Sequence, residues 1–151
     1  MFDTVVHEVK LEYTPAVARE AAPLYEIDIT ELLPNPASPA TDSKDEYVEL
    51  HNPNNVSVSL KGYILQTGTT YSHSHTFGDD SIGAGEYRAF SIVNTNTALS
   101  NTEGAARLLY ADKSVISETA PYADAKDGQA WALFDDGWAW TTKPTPNAPN
   151  T

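Results

Sequence analysis

Cysteine is absent from the 151 residues. That removes a disulfide framework, a thiolate nucleophile and a cysteine-bound zinc together. Basic residues are scarce: 9 Lys and Arg stand against 21 Asp and Glu, for a formal net charge of −12. Nucleic-acid binding draws much of its affinity from Lys and Arg neutralising phosphates, and these bases are scattered from Lys10 to Lys143. Binding to nucleic acid or to an anionic membrane surface is therefore disfavoured, and the surplus acid reads as a solubilising surface. It is uneven, since residues 1–46 hold ten acids against three bases. No apolar run approaches the ~20 residues that would span a bilayer. The opening Met1–Lys10 lacks the basic-then-apolar order of a signal peptide. The chain reads as a piece of a longer protein, and an exported parent would carry its signal elsewhere. Missing too are a Gly-x-Ser-x-Gly elbow, a His-Glu-x-x-His pair and a phosphate-cradling glycine loop before a helix. The many carboxylates could by number include a glycosidase pair, but a chain this size leaves little room for a deep cleft. A non-enzyme with no cofactor and no dedicated metal is expected.

The length fits one domain and is enough to bury a sizeable core. Residues 1–23 read as a lead-in: a possible strand at 5–13, then a proline-bounded linker in which Ala16–Ala22 could form a short, marginal helix. Residues 24–151 read as the domain. Tyr25, Ile27 and Ile29 alternate with Glu26, Asp28 and Thr30, the period of a half-buried strand. Glu46–His51 is a second strand, with Val48 and Leu50 on one face and Tyr47, Glu49 and His51 on the other. Asn52-Pro53-Asn54-Asn55 ends it with turn chemistry. Tyr63–Gln66, Tyr71–Phe77, Glu86–Ile92, Ala106–Tyr110, Ser114–Ser117, Ala130–Phe134 and Trp138–Thr141 follow as short strands. Asp135-Asp136-Gly137 joins the last two, and Asp-Gly between apolar runs signals a hairpin because both residues tolerate positive φ. Eight or nine short strands, with turns every 8–15 residues and no long helix, predict an all-β antiparallel sandwich or small barrel. Val48, Leu50, Ile64, Leu65, Phe90, Ile92, Leu108, Leu109 and Leu133 are the candidate core, with only one of two adjacent apolar residues facing inward on a flat strand.

Several of these segments occur in an order similar to that of the bacterial lamin-tail domain. They are Ile29–Pro36 with its Leu-Pro-Asn-Pro turn, Glu46–Pro53 (Glu-Tyr-Val-Glu-Leu-His-Asn-Pro), Leu60-Lys61-Gly62-Tyr63, Ile82–Tyr87, Leu99–Asp112, Gly137–Trp140 and Thr145–Asn150. The resemblance spans roughly residues 25–150. Two positions depart from it: Asn147 stands where Gly usually follows Thr145-Pro146, and His51 where Tyr or Phe is common. Asn tolerates the left-handed backbone that Gly would adopt. The resemblance implies an immunoglobulin-like antiparallel β-sandwich. It also implies an accessory, non-catalytic module of an exported or envelope-associated protein that binds a protein or cell-surface polysaccharide. A structural spacer or weakly homo-oligomerising domain is the alternative, since exposed sheet edges can pair between chains. A nucleic-acid accessory is less favoured because of the acidity. Nothing in the chain has the heptad run of a filament rod.

The motif residues Glu49, Asn52, Pro53, Gly62, Gly85, Trp138, Trp140 and Pro146 read mostly as structural. Asn52 suits side-chain capping of its turn. Gly62 and Gly85 allow backbone angles closed to other residues. Glu49, opposite the apolar face of its strand, could accept backbone N–H bonds or meet a base. Trp138 and Trp140, with Trp131 nearby, would seal one end of the sandwich or else offer a stacking platform. His73 and His75 stand two apart on one strand face, a spacing that can present two imidazoles to a ligand or metal, with His51, Asp79 or Asp80 as third donors. The acidic stretches at Asp42–Glu46, Asp79-Asp80, Asp124–Asp127 and Asp135-Asp136 do not match a spaced calcium loop.

Overall fold

Short runs of β-branched and aromatic residues, broken by Gly, Pro and Asn, pair throughout into antiparallel ladders. The computed structural model describes residues 24–151. The lead-in proposed for residues 1–23, with its strand and short helix, lies outside the described residues. In chain order the elements are β1 (Asp28–Leu33), α1 (Asp42–Asp45), β2 (Tyr47–His51), β3 (Val58–Ser59), β4 (Ile64–Thr67), β5 (His73–Thr76), β6 (Ser81–Ile82) and β7 (Tyr87–Ser91). Then come α2 (Ile92–Thr95), β8 (Glu103–Gly104), β9 (Ala106–Leu109), β10 (Val115–Glu118), β11 (Tyr122–Ala123), β12 (Ala130–Phe134) and β13 (Gly137–Thr141). A five-stranded sheet, β13-β12-β1-β2-β7, faces a four-stranded sheet, β10-β9-β4-β5. Two small ribbons, β3-β6 and β8-β11, complete an all-β, immunoglobulin-like sandwich. Both helices are single turns.

The core between the sheets holds Ile27, Ile29, Leu32, Val48, Leu50, Leu60, Leu65, Ile82, Phe90 and Leu108, all buried. Burying each such side chain contributes about 1.5–3 kcal/mol. Several features depart from the sequence reading. Leu133 is 37% exposed and not a core residue. Leu108 and Leu109 are both buried, because Leu109 lies between Ile64 and Val115 on neighbouring strands. Ile92 leaves β7 to begin α2, whose N-cap Ser91 accepts from Val93 N–H. Tyr71 adopts φ +55° and lies outside β5, which is confined to His73–Thr76. The β12–β13 turn is Asp135-Asp136; the positive φ, +121°, falls on Gly137, the first residue of β13.

The first strand also runs differently. β1 continues to Leu33, and its register with β2 shifts between Ile29 and Glu31. This irregularity interrupts the alternation at Thr30. Ile29 and Leu32 both reach the core, while Glu31 stands on the outer face beside Glu49, its partner in β2.

Asn52 holds the exit from β2. It is fully buried, and its Nδ2 donates to the carbonyls of Val56 (2.8 Å), Ile82 (2.9 Å) and Gly83 (3.0 Å). Its Oδ1 accepts from Asn54 N–H (2.9 Å) and Nδ2 (2.8 Å). One side chain thus ties the turn after β2 to the end of β6. Asn52→Ala leaves several of these groups without partners and is expected to lower stability by about 2 kcal/mol. Urea denaturation followed by tryptophan fluorescence checks this, and a loss within error of zero would contradict the role.

Candidate functional site

The outer face of the five-stranded sheet is the most chemically furnished region of the molecule. Edge-on pairing places Glu31 of β1 directly opposite Glu49 of β2. Both side chains are fully buried. The cover is the segment after β13, which runs back across the sheet. Thr145 N–H donates to both Glu31 carboxylate oxygens (3.1 Å each), and its hydroxyl lies 3.3 Å from Oε2. Ala148 N–H donates to Glu49 Oε2 (3.3 Å), and the Thr30 hydroxyl donates to Oε1 (2.7 Å). The Tyr47 hydroxyl donates to Glu31. Asn150 Nδ2 donates to Thr30 O and Leu133 O (2.9 Å each), and Ala89 N–H donates to Asn147 Oδ1 (2.8 Å). Asn147 has φ +64°, the left-handed geometry expected for the residue standing in place of Gly.

Facing carboxylates in a dry layer resist ionisation. Burial, helped by the Glu31 charge, pushes Glu49 up to about 7, although the Thr30 hydroxyl and backbone N–H groups pull it down. Burial likewise raises Glu31. The Tyr47 hydroxyl is raised by burial and by its bond to Glu31. A third buried acid, Glu46, accepts from Leu99 N–H (2.8 Å) and is pushed up to about 7, mainly by burial. The Glu31–Glu49 pair is roofed by backbone, so it works as a clamp for the covering segment.

Beside the covered pair lies an open groove of about 640 Å3, lined by Asp28, Thr30, His51, Tyr87, Leu133, Phe134, Asp135, Asp136, Pro149 and Asn150. His51 and Tyr87 stack in it, with ring centroids 4.0 Å apart and 13° between planes. His51 Nδ1 is 3.7 Å from Asp28 Oδ2. The groove lining contains three carboxylates and no Lys or Arg.

The other residues singled out in the sequence are dispersed. His73 and His75 lie on β5, at the edge of the other sheet, with His75 edge-on to Phe77 at 4.8 Å. His51 belongs to β2 and does not join them, while Asp80 pairs with Arg88 at 3.2 Å. Among the described residues no three His, Asp or Glu side chains converge as a metal-binding group. Trp131, Trp138 and Trp140 pack against the core, with Trp140 edge-on to Tyr122 at 5.7 Å. Trp131 Nε1 donates to Ala120 O at 2.9 Å. Gly62 and Gly85 have φ +87° and +70° in their turns. Pro53 and Pro146 are exposed within theirs. No helix among the described residues is long and apolar enough to cross a membrane.

Glu31, Thr30, Tyr87, Asp28 and Asn150 were not singled out in the sequence as site residues. An acid inside the apolar run Ile29–Leu33 was the available signal for Glu31; its meeting with Glu49 required the strand register.

The family model described as Lamin Tail Domain matches residues 20–141. The chain belongs to the lamin tail domain family. No curated protein and no solved structure matches it. Lamin tail domains are immunoglobulin-like, generally interaction modules, and not typically catalytic. The match ends at Thr141, the last residue of β13. The segment that roofs the Glu31–Glu49 pair in this lamin tail domain therefore lies beyond the matched residues.

Proposed function

We propose that this lamin tail domain is a non-catalytic accessory module of an exported or envelope-associated protein, and that it binds a protein or polysaccharide partner through the outer-face groove. The observation that carries the reading is the groove's make-up: a stacked His51–Tyr87 pair among hydrogen-bonding groups and three carboxylates, with no Lys or Arg. Aromatic surface beside carboxylate and amide acceptors suits sugar hydroxyls or a neutral to basic protein segment. The same charge repels nucleic acid. The best-placed carboxylate pair is sealed under backbone, which speaks against hydrolytic chemistry there.

The test is a screen of cell-wall polysaccharides, glycans and candidate envelope proteins by fluorescence titration, with Tyr87→Ala alongside. A ligand is expected whose affinity falls at least tenfold in Tyr87→Ala while the fold, by circular dichroism, persists. Equal binding by both proteins would remove the groove from the reading, and salt-sensitive binding of DNA at micromolar protein would overturn it. The second reading, a structural spacer or oligomerising domain, is supported by a separate observation at the edge of the same sheet.

A further inference from the structure

The backbone hydrogen-bond pattern can be followed across the five-stranded sheet. Asn52 N–H donates to Glu86 O and Ile92 N–H to Glu46 O, both at 3.0 Å. Even-numbered residues of β2 therefore bond to β7 and odd-numbered ones to β1. Carried through the Leu32↔Trp131 and Ala132↔Ala139 pairings, the same alternation aims Gly137, Ala139 and Thr141 at β12. It aims the N–H and C=O of Trp138 and Trp140 away from the sheet.

The other long edges are blunted, each in its own way. At β7 the outward Ala89 N–H is capped by Asn147. β10 carries Glu118, has an irregular register with β9, and its Ser117 hydroxyl accepts from Ile29 N–H. β5 is a short polar strand, His-Ser-His-Thr. Among the described residues, β13 has none of these protections. Its sequence, Gly-Trp-Ala-Trp-Thr, holds no charge and no proline, and its pairing with β12 runs without a register shift. Bare, regular edges of this kind template strand addition.

We infer that the β13 edge is a self-association surface on which two copies of this chain pair antiparallel about Ala139, joining their five-stranded sheets into one. The occupant is a second copy because the edge is complementary to itself. A two-fold axis through Ala139 sets Trp138 opposite the other copy's Trp140, so four outward-facing backbone groups on each chain meet four on the other. Aromatic side chains opposed across strands add favourable contacts. The flanking charges agree: Asp135 and Asp136 lie at one end of β13 and Lys143 just past the other. None of the three takes part in an ion pair among the described residues. The antiparallel arrangement brings Lys143 of each copy to the Asp135-Asp136 end of its neighbour. The inference does not depend on what fills the groove.

Ala139 is exposed, and the two Ala139 Cα atoms would lie roughly 4.5–5.5 Å apart, within disulfide reach. Because the protein has no cysteine, Ala139→Cys introduces a single thiol. Mild oxidation in about 0.15 M salt, where charges are screened beyond ~8 Å, is expected to give a covalent dimer. Val93→Cys, on exposed α2, should stay mostly monomeric. Sedimentation equilibrium of the unmodified chain should show concentration-dependent dimer. Ala139→Lys, which sets two ammonium groups face to face, should weaken it at least tenfold with circular dichroism unchanged. Lys143→Glu should weaken it several-fold, and adding Asp135→Lys should restore it. The inference is overturned if the unmodified chain stays monomeric to millimolar concentration and Ala139→Cys cross-links no faster than Val93→Cys. It is equally overturned by a dimer that Ala139→Lys leaves intact.

Discussion

Deleting Thr145–Thr151 is expected to lower the unfolding free energy by about 4 kcal/mol. The segment supplies Thr145 N–H and hydroxyl to Glu31, Ala148 N–H to Glu49, Asn150 Nδ2 to two strand carbonyls, and Asn147 Oδ1 to the β7 edge. At about 0.5–1 kcal/mol net for each of these hydrogen bonds, the contacts account for the figure. Removing the cover also opens the buried contact between Tyr47 and Glu31 to water. Equilibrium urea unfolding of the full and shortened chains makes the comparison. A difference under about 1 kcal/mol would mean that the segment is only draped over the sheet.

The second large effect is with pH. Glu46 and Glu49 are each raised to about 7 from an ordinary value of 4.5, chiefly by burial. Between those values the folded chain holds protons that the unfolded chain has released. Stability is therefore complete below about pH 4.5 for these groups and is lost as pH rises through about 7. The expected fall from pH 5 to pH 8 is about 5 kcal/mol for the two together, with Glu31 displaced in the same direction. In the chain lacking Thr145–Thr151, water relaxes Glu31 and Glu49, and roughly half of the fall should disappear, leaving the share of Glu46. Thermal unfolding at a series of pH values reads both effects. A full-length protein that is more stable at pH 8 than at pH 5 would contradict the burial of these acids.

How far the sequence carried these conclusions depended on whether a feature is local. The alternation in Tyr47–His51, the Asn-rich turn after it and the Asp-bearing turn before Trp138 are each written within a few residues. The two sheets and their short strands follow from them. The register shift at Thr30 is not local: an acid at Glu31 reads as an interruption until β2 places Glu49 beside it. The burial of the outer face was likewise illegible, since Tyr47, Glu49 and Thr30 alternate like solvent-facing residues. What buries them lies about a hundred residues away, in a proline-rich segment whose composition suggests an irregular end. Leu133 misled in the opposite direction, because an apolar residue in a strand was placed inward and it is partly open at the groove rim. The pair His73 and His75 carried a chemical suggestion by spacing alone, and the fold set them apart from His51 by placing the two strands in different sheets.

The roof over Glu31 and Glu49 also constrains the order of assembly. Contacts such as Thr145 with Glu31 and Asn150 with Thr30 join residues 114 and 120 positions apart. Contacts this distant in sequence are slow to close, because the intervening chain must first be ordered. While the domain is being synthesised, the first strand must wait with its acid open to water until the residues from 145 onward have emerged. For that interval the half-made sandwich presents an uncovered sheet face and the unguarded β7 edge, a window in which chaperones or misdirected strands compete with the covering segment.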